Sequence, residues 1–436
     1  MTRRQMRIFE LEVIFEEWKG EDKIFMQENS FRYAGEFEKQ KAVIICWADV
    51  PFSAEGYDVH EVFVQVIKNS MTEVEVYVNC GIKGSITRCK NVLKRGGVAI
   101  EKIHFTEFAD ELHWARDYGP DILVDDCGNK RLIDFNFNSY GMCDIQDPVA
   151  VLAKKIAPHM ASVLGCRDIL ESPLVTEGGN KEFNGAGICM AIEQTEVEKR
   201  NPSYTKAQIE AEYRRLFHLK KIIWIPQASY DDEDIFAGPL DRIDGKPIYR
   251  SLSANGHIDE ICRFVDENTV LLAEVTEEEA QKLSSARITK ERLDRAYEIL
   301  AKETDGNGKP FRIIRIPVPD PIYFTAKPGD YIYESWQMFK RDLPAGCCMD
   351  DGSQFPKGEI KMQPALSYCN FLIINGIVLG QKYWKEGLSE SIREKDIRAQ
   401  QVLEKAFPDR KVIMIHTTAL NILGGGIHCI TKNIPC

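Results

Sequence analysis

Short apolar stretches return all along the chain, each four to eight residues at its core and rich in β-branched side chains. They are AVIICWADV (42–50), TEVEVYVNC (72–80), DILVDD (121–126), KKIIWIP (220–226), TVLLAEV (269–275), FRIIRIPVP (311–319), NFLIINGIVLG (370–380) and KVIMIHT (411–417). That length and composition predict strands. Between them the apolar spacing changes to a helical period. Asp147 as N-cap, with Pro148 at the first helical position where its missing N–H costs nothing, predicts a helix over 147–165. Thr205 and Gln208 form a capping box ahead of Ile209, Tyr213 and Leu216. Thr289 opens a third helix with Leu293, Ala296, Tyr297 and Leu300 on one face, and residues 389–407 supply a fourth.

Strand, strand, helix, strand thus recurs with no low-complexity linker or long charge run to divide it. The expectation is an α/β protein with one domain over residues 1–436. Two segments read as insertions, 188–205 and 320–359. The second is too long for an ordinary connection and predicts a lid or rim. Its aromatics Tyr323, Phe324, Tyr331, Tyr333 and Trp336 either cover a site or pack the loop down.

Charge narrows the partners. With 56 Lys and Arg against 67 Asp and Glu, the net charge is -11. That balance argues against nucleic acid and anionic membrane, and suits a cationic ligand. No run approaches the roughly 18 apolar residues of a membrane helix. The opening MTRRQMRIFELEVIFEEWKGED runs from basic residues straight into glutamates. No leader is therefore expected, and the protein reads as cytoplasmic. A homo-oligomer is left open. The 13 cysteines are scattered through apolar stretches, as reduced core residues are. Neither Cys347-Cys348 nor Cys429-Cys436 has a CxxC partner set, so no metal or cofactor is expected.

Four patches carry charge within apolar or glycine-punctuated surroundings: 113–126, 174–185, 253–264 and the terminal GGGIHCIT (424–431). Singly, each has a plain structural reading as a surface pair, a turn, a core histidine or a small buried thiol. Together they make an inventory. Cys429 is a nucleophile once ionised, and a nearby cation favours that form. His257 is the general acid/base candidate. Asp259 lies two residues on, so both side chains share a side if His257 begins a strand. Asp117 and Glu177 raise the carboxylates to three, more than a simple Cys-His amide hydrolase needs. Carboxylates match the fork of a guanidinium. The same set could ligate a divalent cation, although no HxH, HExxH or paired CxxC spacing is present.

The motifs resemble those of the agmatine deiminase and bacterial-type peptidylarginine deiminase family, within the guanidine-modifying superfamily. WARDYGP (114–120), EGGN (177–180), EKRNP (198–202), GHIDE (256–260), PALSYCNFLIIN (364–375) and GGGIHCITKNIP (424–435) are similar to its segments and occur in its order. The resemblance implies a five-bladed α/β propeller of pseudo-fivefold ββαβ units around a polar channel. It implies hydrolysis of a guanidino group to a ureido group with release of ammonia, on a small cationic guanidino compound of the agmatine kind. Cys429 would be the nucleophile, His257 the acid/base, Asp117 and Asp259 the grip on the guanidinium, and Glu177 the support of the histidine. Trp114, Arg116 and Gly426 join the implied substrate-binding set. Departures from the pattern, among them Ala115, Tyr118, Asn433 and FNGAGIC after the EGG segment, leave this chemistry intact and the substrate open. Peptidyl-arginine, free arginine and a modified guanidine are the alternatives. An amidinotransferase and a non-catalytic binding protein on the same fold are the competing functions.

Overall fold

The computed structural model describes residues 31–436 except 50–52, 55–56, 82–83, 109–111, 342 and 345, with backbone alone at 53–54. The reading of the first 22 residues, and the end of the 42–50 stretch, lie outside the described residues.

One local arrangement recurs. Lys181–Phe183 pairs antiparallel with Ile188–Ile192; the helix Lys206–Phe217 then carries the chain back to Lys221–Ile225, parallel to Ile188–Ile192. A parallel return needs a crossover of a dozen or more residues, and the helix supplies it. Ile188–Ile192 is buried along its whole length, which accounts for the unbroken apolar run ICMAI. The same path is taken by Cys262–Phe264, Thr269–Glu274, the helix Ser284–Leu300 and Arg312–Pro317. Leu372–Ile374, Ile377–Lys382, the helix Glu390–Ala406 and Lys411–His416 take it again. In a four-stranded sheet the last strand, Thr431–Pro435, pairs antiparallel with Gln40–Cys46 and is buried throughout.

These pairings correct the expected architecture. The described residues form six separate sheets of three or four strands and one two-stranded ribbon. No sheet closes into a barrel or curls as in a propeller, so the five-bladed α/β propeller is not what is observed. One sheet joins the hairpin Asp241–Ile243 and Lys246–Arg250 to Ile360–Gln363, 113 residues on, and that strand to Phe324–Ala326 across 34 or more residues. Local periodicity specifies the pairing inside a hairpin or crossover. It carries no information on pairings of that kind.

Smaller differences have local causes. The expected 147–165 helix is two, Pro148–Ala153 and Ile156–Leu164. Pro158 cannot donate to the carbonyl of Lys154 and its ring crowds that carbonyl, so the chain turns there. The Thr205–Gln208 capping box is formed. Thr289 is not a cap: its helix starts at Ser284, and its hydroxyl oxygen accepts from the backbone of Tyr230 at 3.2 Å. The 188–205 segment is not an insertion, because it contains the middle strand of a sheet. Within 320–359, the helix Tyr331–Arg341 buries Trp336 completely, with its ring 4.9 Å from Phe236 and 6.0 Å from Phe355. All 13 cysteines are free, and among the described residues no helix is long and apolar enough to cross a membrane.

Candidate functional site

Cys429 reaches its place through a tight turn. After the short helix Thr418–Ile422, Gly424 adopts φ +107°, a conformation that side chains disfavour. A Cβ on Gly425 would lie 2.6 Å from the Trp114 ring and 3.1 Å from the Cys429 Cβ, and one on Gly426 would strike Asn370 and Gln381. The glycines therefore let Trp114 and Asn370 close on the Cys429 loop. Asn370 fixes that loop: its Oδ1 accepts from the His428 backbone at 3.0 Å, and its Nδ2 donates to Cys429 Sγ at 3.2 Å and to Glu260 Oε1 at 2.9 Å.

His257 does not begin a strand. It precedes the single turn Ile258–Glu260, and its backbone N–H, with that of Gly256, donates to Asp232 at 2.9 and 3.1 Å. The ring is fully buried. Its Nδ1 is 3.7 Å from Asp117 Oδ1 and its Nε2 3.5 Å from Glu177 Oε2, ion-pair distances that fall short of hydrogen-bond geometry. Asp117, in the four-residue helix Ala115–Tyr118, accepts from the Tyr140 hydroxyl and the Gly179 backbone, each at 2.9 Å. Arg200 Nε donates to Glu177 at 2.7 Å. Asp259 Oδ2 lies 2.7 Å from His428 Nδ1, and His428 Nε2 lies 2.9 Å from Glu36. Gly179 is the pivot: a Cβ there would fall 2.6 Å from His257 Nδ1, 2.8 Å from Asp117 Oδ1 and 3.0 Å from Asp259 Oδ2.

The structure thus gathers Cys429, His257, Asp117, Asp259 and Glu177 about one point. Trp114 packs behind the glycines, and Gly426 faces Asn370 and Gln381. Arg116 is elsewhere. Its guanidinium is engaged by Glu36, by Asn433 Oδ1 at 2.8 Å and by the His428 carbonyl at 3.3 Å, beneath the cluster.

Electrostatics follow from that packing. Burial alone would lower the His257 pKa, but Asp117, Glu177 and Asp259 outweigh it and raise it to about 9. Burial opposes the charge on Glu177 as well, yet Arg200 and His257 hold it down at about 2. Asp259 is lowered against its burial by His428, His257 and Arg263. Asp117 is raised, by burial first and then by Asp259 and Glu177. Burial pushes the Cys429 thiol well above its ordinary value, and Asp259, Asp117 and Glu260 push it further. Both ring nitrogens of His257, Asp259 Oδ1, Glu177 Oε2 and Glu260 Oε2 are buried without a protein hydrogen-bond partner. Each such group costs about 1–3 kcal/mol unless something satisfies it. Acceptors gathered around a neutral thiol suit a planar cation with several N–H groups. Asp259, Glu260 and Cys429 also place donor atoms within 4.8 Å of one another, the one described group of His, Cys, Asp and Glu residues close enough to hold a metal ion.

Asn370, Glu260, Arg200 and His428 lie inside the recognised segments but carried no assigned role. Tyr140 and Glu36 lie outside every motif.

The Porphyromonas-type peptidyl-arginine deiminase family model matches residues 32–243 and 245–435. The agmatine deiminase of Medicago truncatula is 28% identical over 414 residues, covering 89% of this chain and 93% of that protein. That of Pseudomonas aeruginosa is 25% identical over 419 residues, covering 93% and 96%. Among solved structures, the agmatine deiminase of Enterococcus faecalis superposes with a TM-score of 0.70 at 23% identity, over 93% of this chain and 96% of that one. At that identity the likeness is one of fold. With nearly the whole chain matched, and its thiol, imidazole and carboxylates gathered at one buried point, this protein belongs to the Porphyromonas-type peptidyl-arginine deiminase family.

Proposed function

We propose that the protein hydrolyses agmatine to N-carbamoylputrescine and ammonia, with Cys429 as nucleophile. The reaction class, hydrolysis of a guanidino group, follows from the family. Agmatine is favoured by the names of its relatives. The observation that carries the assignment of roles is the convergence of His257, Asp117 and Asp259 on Gly179 beside Cys429. Asp117 and Asp259 hold the guanidinium planar and cationic. Its charge offsets the carboxylates that keep the thiol neutral, so Cys429 ionises with substrate in place. Sγ attacks the guanidinium carbon. His257, protonated at neutral pH, gives its proton to the departing nitrogen and ammonia leaves, so an S-amidino bond replaces the C–N bond. The imidazole then takes a proton from water as the hydroxide adds, and the ureido product and Cys429 are released. Glu177, held by Arg200, keeps the imidazole oriented.

The test is a parallel ureido-product assay on agmatine, arginine, methylated arginine and a short arginyl peptide, without an amine acceptor. Efficient turnover of agmatine supports the proposal. Turnover of the peptide with agmatine inert overturns the substrate. No ureido product, with a new guanidino compound formed once an amine is added, assigns an amidinotransferase.

A further inference from the structure

Every carboxylate assigned above already has a basic side chain beside it. Glu177 has Arg200 at 2.7 Å, Asp259 has His428 at 2.7 Å, and Asp117 has His257 at 3.7 Å. A guanidinium entering this buried volume adds one more positive charge to them. One carboxyl at the site has no such partner. Glu260 is 6% exposed, and none of the ion pairs among the described residues includes it. Its Oε1 accepts from Asn370, the amide that also donates to Cys429 Sγ, and its Oε2 has no hydrogen-bond partner. One carboxyl oxygen of Glu260 lies within 4.8 Å of both Cys429 Sγ and a carboxyl oxygen of Asp259.

We propose that Glu260 is a third substrate carboxyl, which sheds its proton to solvent when a guanidinium binds and then receives the proton of the Cys429 thiol. The inference rests on the guanidino-hydrolase reading given above. The groups around Glu260 explain why it starts neutral. It is buried, and Asp259, Asp232, Asp231 and Asp117 all face it, holding its pKa well above the carboxylate range. Cys429, Cys369 and Tyr383 are the other titratable neighbours, and burial keeps all three protonated. Asn370 is neutral. Binding of the cation reverses the balance: Glu260–COOH becomes Glu260–COO⁻ and one proton leaves to solvent. Transfer of the thiol proton to that carboxylate then leaves a thiolate against the guanidinium and restores neutral Glu260. Charge is conserved at each step, and no other proton acceptor is needed for the nucleophile.

The measurement is titration calorimetry of Cys429→Ala with agmatine, arginine and guanidinium chloride, in buffers of different ionisation enthalpy at neutral pH. Without the thiol, about one proton should be released per bound guanidinium, and Cys429→Ala/Glu260→Gln should release none. Glutamine mimics the neutral acid of the empty site, so the double variant should retain the melting temperature of Cys429→Ala. In the otherwise wild-type enzyme, Glu260→Gln should lower kcat/KM by about 100-fold. Binding without proton release, or equal release in both variants, overturns the inference and leaves the hydrolase reading standing. Proton release with arginine or guanidinium but no binding of agmatine supports Glu260 and removes the proposed substrate. No binding of any of the three overturns both.

Discussion

Gly179→Ala is the sharpest test of the site's geometry, because one methyl group would touch three functional groups at once. Its Cβ would lie 2.6, 2.8 and 3.0 Å from His257 Nδ1, Asp117 Oδ1 and Asp259 Oδ2. Ordinary contact begins near 3.4 Å, so these groups would have to retreat by about 0.4–0.8 Å. None is a loose side-chain end: Asp117 is held by Tyr140 and by Gly179 itself, Asp259 by His428, and the His257 ring is confined by complete burial. Overpacking of this kind costs about 1–3 kcal/mol of stability. A misplacement approaching 1 Å at a reacting centre costs about 100-fold in rate. The expected outcome is a kcat lowered by about two orders of magnitude in a protein that still folds. Ammonia release gives the rate and thermal melting gives the fold. Gly306→Ala serves as the control, since its Cβ would meet only a backbone oxygen at 4.0 Å. A Gly179→Ala enzyme with near wild-type kcat would refute the convergence of imidazole and carboxylates on one point.

Other perturbations separate the roles. Cys429→Ala should abolish turnover while retaining substrate binding, and mass spectrometry of wild type trapped with substrate should find the adduct on Cys429 and on no other cysteine; full activity in the variant would end the mechanism. With His257 raised to about 9, its protonated form persists until that pH. The alkaline fall in kcat/KM should therefore sit near 9, and Glu177→Gln, which removes one of the raising carboxylates, should move it to lower pH; an unmoved limb would detach Glu177 from the histidine. Glu177 itself is held at about 2 against an ordinary 4.5. A depressed carboxylate stabilises the fold above its unfolded pKa and loses that contribution as pH falls through the folded value. Wild type should thus lose on the order of 3 kcal/mol between about pH 5 and 2 that Glu177→Gln does not lose, read by urea unfolding across that range.

What the sequence disclosed followed the range of each signal. The Thr205–Gln208 box is a contact between neighbours and was readable directly. Residues 147–165 were readable as helical, but the break at Lys154 depends on Pro158 four residues on. The motif cysteine, histidine and acids were legible because their chemistry is unusual in apolar or glycine-rich settings. Asn370 was not, although it lay within a recognised segment, since an asparagine at a strand end ordinarily marks a turn. Here it bonds the Cys429 sulfur across 59 residues. The propeller came from the family resemblance, and local pattern could not test it: that pattern determined hairpins and crossovers, whereas the sheet containing 241–250, 324–326 and 360–363 is made by pairings across 34 to 113 residues.

Arg116 and Asp117 show how one motif serves two layers. Adjacent side chains on a helical turn diverge by about 100°, so Asp117 can face His257 while Arg116 reaches the layer below. There Glu36 receives Arg116, Arg263 Nη2 at 2.6 Å and His428 Nε2 at 2.9 Å. Burial works against the charge on Glu36, yet Arg116, His428 and Arg263 hold its pKa well below the carboxylate range. Arg263 keeps Glu182 as a second partner at 2.9 Å, and His428 keeps Asp259. Arg116 keeps only neutral acceptors, Asn433 and a carbonyl. Glu36→Ala therefore leaves a buried guanidinium without a counter-charge, a change that costs about 3–5 kcal/mol. Urea unfolding should show a loss of that size. Catalysis by the folded fraction should weaken chiefly in KM, because His428, freed on one side, holds Asp259 less firmly against the substrate. A loss below about 1 kcal/mol, typical of an exposed pair, would mean that Glu36 is not the keystone beneath the site. An unchanged KM would mean that Asp259 is oriented without it.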